Sequence, residues 1–198
     1  MSETSAQLDA AAASEHVDRV APPDLEPLRM FLNSDNRFFG VDYFDEPDRL
    51  HRYLRGEKIL GEEDRIETAG LVRLRAFRDA LRAFLGEPGP AVSETLNVAA
   101  AGFSMVVEVG PAGEVELTPV ARDDLVARIA AASLAAVHRA VLDGRWARLH
   151  ICQRPDCQWI YYDSSRNKSA RWCSADPCGD VMKARAWRAR QRGHTEAS

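Results

Sequence analysis

Cys152-Gln-Arg-Pro-Asp-Cys157 and Cys173-Ser-Ala-Asp-Pro-Cys178 hold all four cysteines of the chain, in two pairs of identical spacing separated by fifteen residues. Two short pairs joined by a loop long enough for a hairpin bring four thiolates round one tetrahedral zinc ion. Disulfides or an iron–sulfur cluster are the other uses of four close cysteines. Four thiolates leave no open coordination position, so one zinc held here is structural rather than catalytic. Between the pairs, Trp159-Ile160-Tyr161-Tyr162 is strand-forming. Ser164 to Ser169 is rich in turn residues, and Ala170-Arg171-Trp172 reads as the strand that returns to Cys173. Asp176 reads as a helix N-cap and Pro177 as the first helical residue, which places Cys178 in the first turn. On that helix Cys178, Met182, Ala186 and Ala189 share a face expected to lie against the metal core. A knuckle, a hairpin and a helix carrying the last ligand form a treble-clef-like zinc finger. Without metal, so small and charged a segment buries too little surface to fold.

The charge of the same segment stands apart from the rest. The chain has 198 residues and a net charge of −4. Residues 145–192 hold eleven Arg and Lys against four acids, a net +7, which leaves −11 for the remainder. The local field, not the whole-chain average, decides what docks on a surface. The polar, acidic start (Met1-Ser2-Glu3-Thr4-Ser5) has no signal-peptide pattern, and no apolar run reads as a membrane span, so a cytoplasmic protein is expected.

Residues 1–23 are rich in Ala, Ser and acids and read as a disordered tail; residues 193–198 read as a second. Between them the reading gives an α+β fold: a mostly helical domain over 24–144 with one small antiparallel hairpin, then the finger over 145–192. Phe38, Phe39, Val41, Tyr43 and Phe44 form an aromatic patch expected in the core. Asp45-Glu46-Pro47 opens a short helix. Glu62 to Leu85 is amphipathic, with Ile66, Ala69, Leu74, Phe77, Ala80, Leu81 and Phe84 on one face. Arg75, Arg78 and Arg82 lie off that face, whereas Arg73 falls inside it and is expected to snorkel to the rim. Arg73 and Arg78 are the candidates for contact with a small-molecule effector. Met105, Val107 and Val109 alternate with polar or exposed positions before a Gly110–Gly113 turn and a return through Val115 and Leu117. Arg122 to Leu142 is a second long helix, with His138 on its solvated side.

The residues round the cysteines resemble a known family. Cys152 to Cys157 with Trp159, Asp163 to Ser169, Arg171-Trp172-Cys173-Ser174, and Cys178-Gly179 with Lys183-Ala184-Arg185 are similar to the CGNR-type zinc finger. In that bacterial family the finger follows an ABATE domain, which Phe31-Leu32-Asn33, Leu74 to Leu85 and Leu96-Asn97 resemble. The resemblance implies a stress-induced transcriptional regulator. It departs at the naming tetrad, which here reads Cys178-Gly179-Asp180-Val181. An acid thus replaces the family's Asn, and an apolar side chain its Arg.

The reading favours a DNA-binding regulator. Arg166, Lys168 and Arg171 near the hairpin tip, with Lys183, Arg185, Arg188 and Arg190 on the helix, would meet phosphates or base edges. The N-terminal domain would supply dimerisation or an effector site. The alternatives are a zinc-stapled protein–protein interaction module, in which exposed Trp187 contributes, and an RNA binder stacking bases on Trp159, Tyr161, Tyr162 and Trp172. No G-x-S-x-G, HExxH, P-loop or GxGxxG occurs, so no enzyme is expected.

Overall fold

A computed structural model describes residues 19–195, with side chains described through Arg192. The helices are α1 (Glu26–Leu32), α2 (Pro47–Gly56), α3 (Thr68–Gly86), α4 (Pro90–Ala100), α5 (Leu125–Leu142) and α6 (Asp180–Thr195). Three two-stranded antiparallel sheets join them: β1 (Asp35–Asn36) with β2 (Val41–Asp42), β3 (Met105–Val109) with β4 (Val115–Pro119), and β5 (Leu149–Ile151) with β6 (Ile160–Tyr162). The fold is α+β, mainly helical. Most of the expected N-terminal tail lies outside the described residues. Its last part does not behave as a tail, because Ala21 is buried and its amide donates to Glu26 Oε2 at 2.7 Å. At the other end α6 continues to Thr195, past the expected limit of 192, and 196–198 lie outside the described residues.

Local chemistry explains the helix starts. Pro47 and Pro90 occupy first-turn positions, where a missing N–H costs nothing. Asp124 caps α5, its Oδ1 accepting from the amides of Val126 at 2.9 Å and Ala127 at 3.2 Å. Helix α5 is 18 residues long and apolar enough to cross a membrane by length and composition, contrary to the sequence expectation. In this fold it is a core helix, with Val126, Ile129, Ala130, Ala131 and Ala140 buried and Arg128, His138 and Arg139 exposed. Its alanines let α3 approach closely. A Cβ on Gly70 would sit 2.8 Å from Val126 Cγ2, so only glycine fits that crossing.

Four sequence expectations about the body need correction. The long amphipathic helix begins at Thr68 rather than Glu62, although Ile66 is still buried ahead of it. Its Arg78 and Arg82 are not off the buried face: they are 1% and 5% exposed. Acids from the β1–β2 turn region and backbone carbonyls reach down to them, so burial does not leave their donors bare. In the β3–β4 hairpin the register pairs Val107 with Leu117 as the alternation implies, but Val107 and Val109 are exposed. The ribbon meets α5 through β4, whereas Val107 and Val109 lie on β3. Within the aromatic patch, Tyr43 and Phe44 are buried in the core, while Phe38 and Phe39 are half-buried.

Body and finger share their interior. Ile160 and Tyr162 belong to the main core with Leu54, Phe77 and Leu81, while Trp159 and Tyr161, on the opposite face of the same strand, belong to the core round the cysteines. Met30 of α1 completes that second core. Asn33, fully buried just past α1, then closes the free edge of β6. Its Nδ2 donates to Ile160 O at 2.8 Å and its Oδ1 accepts from Ile160 N at 2.8 Å. A single side-chain amide stands where a third strand would be. Asn33→Ala is expected to lower unfolding free energy by about 2–4 kcal/mol, because a buried N–H loses its partner and the carbonyl keeps only the Arg29 bond. Urea denaturation checks this; a loss under about 1 kcal/mol would mean that water replaces the amide.

Candidate metal centre

The four cysteines converge from two loops. In the first, Cys157 N–H donates to Arg154 O at 3.0 Å and Gln158 adopts a left-handed φ of 51°, closing a tight knuckle. Cys152 N–H donates to Trp159 O at 2.9 Å, which extends the β5–β6 ladder to the first ligand. The strand β6 therefore pairs with Leu149–Ile151 upstream, not with residues 170–172 as the sequence suggested. The reason lies in Asp163, fully buried at the end of β6. Its carboxylate accepts from Ser165 N and Ala170 N, both at 2.9 Å, and this holds residues 164–169 as a loop instead of a strand return. Burial pushes the Asp163 carboxyl up, but those bonds and Arg19 outweigh it, so it stays below the usual carboxylate range.

The second loop enters the helix much as expected. Asp176 is extended (φ −113°, ψ 129°), the usual backbone of an N-cap, and the helical residues after it, Pro177 to Gly179, run into α6 with Cys178 among them, although the Asp176 carboxylate makes no cap bond among the described residues. Helix α6 starts at Asp180 and points away. Residues 183–192 are all exposed, so Ala186 and Ala189 do not pack on the metal core.

All four sulfurs are buried and lie within 4.8 Å of one another. Cys157 Sγ is 3.7 Å from Cys173 Sγ, which is 3.6 Å from Cys178 Sγ. Zinc–thiolate bonds of about 2.3 Å in a tetrahedron put sulfurs about 3.8 Å apart; a disulfide would need about 2.05 Å. The donor set and its spacing fit zinc. Without a cation the sulfurs cannot ionise together: S–H donation from Cys157 and Cys173 holds the Cys152 thiol well below the usual thiol value. The same hydrogen bonds, with burial, push Cys157 and Cys173 well above the usual thiol value. A dication removes that conflict by taking all four as thiolates.

Around the sulfurs sits a charged collar. Arg154 points Nη1 at Cys178 Sγ from 4.0 Å, forks onto Asp156 at 3.0 and 2.9 Å, and lies over the Phe38 ring at 5.0 Å. Its fork holds the Asp156 carboxyl down to about 2. His150 stays outside the sulfur cluster, against the Tyr161 ring.

The seven cations expected to meet nucleic acid are all exposed. They differ in what else holds them. Arg171 donates to Gln153 Oε1 at 2.7 Å and lies over Trp172. Lys183 is 3.2 Å from Asp180, and Arg185 is 3.6 Å from Asp156. Arg166, Lys168 and Arg188 have no partner among the described residues. The first two stand at the tip of the 164–169 loop, where Lys168 takes a left-handed φ of 49°. Trp159, Tyr161 and Tyr162 are buried and offer no stacking face, while Trp187 is 57% exposed. Of the effector candidates, Arg73 lies over Phe103 at the rim, as expected for snorkelling. Arg78 has its donors taken by Asp42, Asp79 and Ser34.

Sequence reasoning missed the residues that reach the site from the body: Met30, Asn33 and Tyr53. Tyr53 packs on the sulfur core and donates its hydroxyl to Met30 O at 2.7 Å. All three sit on or against one short helix more than a hundred residues from the first cysteine, where periodicity carries no signal.

Residues 148–191 match the CGNR zinc finger family, and residues 26–143 match the ABATE family, whose description is "Putative stress-induced transcription regulator". The chain belongs to the ABATE family. No curated protein matches it. The order of the two matches, ABATE then CGNR finger, is the one the sequence resemblance implied. With the four sulfurs at tetrahedral spacing, this ABATE-family chain carries one structural zinc site, made by Cys152, Cys157, Cys173 and Cys178. Both matched families are of regulatory or zinc-finger type rather than enzymes.

Proposed function

We propose that this chain is a DNA-binding transcriptional regulator whose zinc-organised, treble-clef-like finger offers a basic loop tip and a basic helix to the duplex. The observation that carries the reading is the set of three cations without a side-chain partner among the described residues, Arg166, Lys168 and Arg188, on a +7 segment organised round four clustered cysteines. Unpaired surface cations lose no intramolecular contact on meeting phosphate, and release of DNA counterions supplies the driving force. Arg171, Lys183, Arg185 and Arg190, all exposed on the finger, are the further contacts of this reading. Asp180 subtracts from it by pairing with Lys183, and half-buried Val181 stands where the family pattern has an arginine.

The test is fluorescence anisotropy with a random 20-base-pair duplex over a range of salt. Affinity is expected to fall steeply, and an R166A/K168A/R188A variant to lower the slope of log K against log salt by roughly 3. No binding at low salt would end the reading. It would favour a second one, supported by exposed Trp187 among the helix charges, in which α6 docks on an acidic protein surface. Stacking of RNA bases loses its support, since three of its four platforms are buried.

A further inference from the structure

The body holds a cavity of about 660 Å³ on the side of α1 away from the finger, between α1, α5, β4 and the turn at Lys58. Leu28, Phe31, Leu117 and Ile129 supply the apolar part of its wall. Its charges run against those of the body. Outside the finger segment the chain carries −11, yet the cavity is lined by four cations (Lys58, Arg122, Arg128, Arg139) and two acids (Asp24, Glu116).

Most of these groups differ in how far they are already engaged. Arg122 is paired with Glu108, and Asp24 is held by Arg145 at 2.8 and 2.9 Å. The side chains of Lys58, Arg128 and Arg139 make no hydrogen bond or ion pair among the described residues. Thr118 Oγ1, also in the wall, is buried and likewise has no partner. A buried hydroxyl without a partner costs free energy that a ligand oxygen would return. A cavity of this size that joins apolar side chains to a few convergent polar groups has the form of a small-molecule site.

We propose that this cavity binds an amphipathic organic carboxylate, its hydrocarbon body against Phe31 and Ile129 and its carboxylate held by Arg128 and Arg139 with Lys58 beside them. Thr118 takes a hydrogen bond role to the same ligand. The occupant is an anion because the unengaged side chains are cations, and it is amphipathic because the wall sets Leu28, Phe31, Leu117 and Ile129 beside those cations. The site stands whether or not the finger binds DNA, and its test uses no DNA.

Isothermal titration of the zinc-loaded full chain with decanoate, methyl decanoate and acetate separates the contributions. Decanoate is expected to bind once per chain with a dissociation constant on the order of tens of micromolar. The neutral ester and the short acid are expected to bind at least about tenfold more weakly, lacking charge and apolar body respectively. An R128Q/R139Q variant, altered only at exposed positions, should weaken decanoate at least about tenfold. Ala132→Trp should fill the cavity and abolish binding, with its melting curve reporting whether the fold survives. The proposal is overturned if decanoate shows no saturable binding, if the ester binds equally well, or if R128Q/R139Q binds like the parent.

Discussion

Stripping zinc from the folded chain is expected to unfold residues 148–191 and to loosen the body with them. The finger's own core is small: Trp159 and Tyr161 with the four cysteines, completed by Met30 from α1. Structural zinc contributes about 10–16 kcal/mol in isolated finger peptides, which equals or exceeds the roughly 5–15 kcal/mol that stabilises a whole domain. Protonated thiols can stay buried as small apolar groups, but they cannot crosslink two loops. Nor can the loss stay local, because Ile160 and Tyr162 pack in the main core. A chelator should therefore abolish the near-ultraviolet signal of Trp159 and Trp172 and lower the melting temperature of the remainder. Zinc should restore both, at one ion per chain. Cys173→Ser should match the chelated state. An apo chain that melts like the parent would overturn this account.

The second large effect is expected at Arg78. Its guanidinium is 1% exposed and forks onto Asp42 at 2.6 and 2.8 Å, with Asp79 on its other edge and the Phe44 ring 4.7 Å away. Arg78→Met leaves the mostly buried Asp42 without its main counter-charge, and a loss of about 3–5 kcal/mol is expected. Arg78→Lys should recover little, since one ammonium cannot serve two carboxylates as a planar fork does. The effect also has a pH signature. Burial pushes the Asp42 carboxyl up, but Arg78, the Phe44 amide and Arg75 pull it further down, below its ordinary value. A carboxyl depressed in the folded state contributes stability above its unfolded pKa and loses it as pH falls through the folded one. The gap between parent and Arg78→Met in urea denaturation should thus be full at pH 7 and close in acid below about pH 4. A gap that stays constant with pH would exclude the ion pair as its source.

These two sites show what the sequence makes legible and what it hides. Cysteine spacing is local, and a tetrahedral ion imposes one geometry on it, so Cys152, Cys157, Cys173 and Cys178 could be read directly as one centre. Helices α3 and α5 were legible because burial follows a 3.6-residue period. That same logic misplaced Arg78 and Arg82, since periodicity treats every arginine as surface. Their partners Asp42 and Asp35 come from a turn some forty residues earlier. The acids spaced through Asp35, Asp42 and Asp45 were the available hint. The pairing of β6 was misread for a related reason: Leu149-His150-Ile151 is only three residues long and lies within a basic run.

Arg82 extends the same point to the boundary between the two matched regions. Burial pushes its pKa down to about 10, and it spends its donors on Leu32 O at 2.6 Å and Gln158 O at 3.1 Å, one from each region. A charged side chain is retained there to join two backbones.

The Asn33 amide on the edge of β6 also limits how this chain can change by recombination. A finger transplanted to another protein would arrive with the Ile160 N–H and C=O bare along an unpaired edge, open to pairing with any strand it met. The donor body, left behind, would keep Asn33 without its partner, and Arg29 and Arg82 each short of one bond. The zinc finger is thus no interchangeable cassette, and the two halves of this protein are expected to be inherited, lost and diversified as one piece.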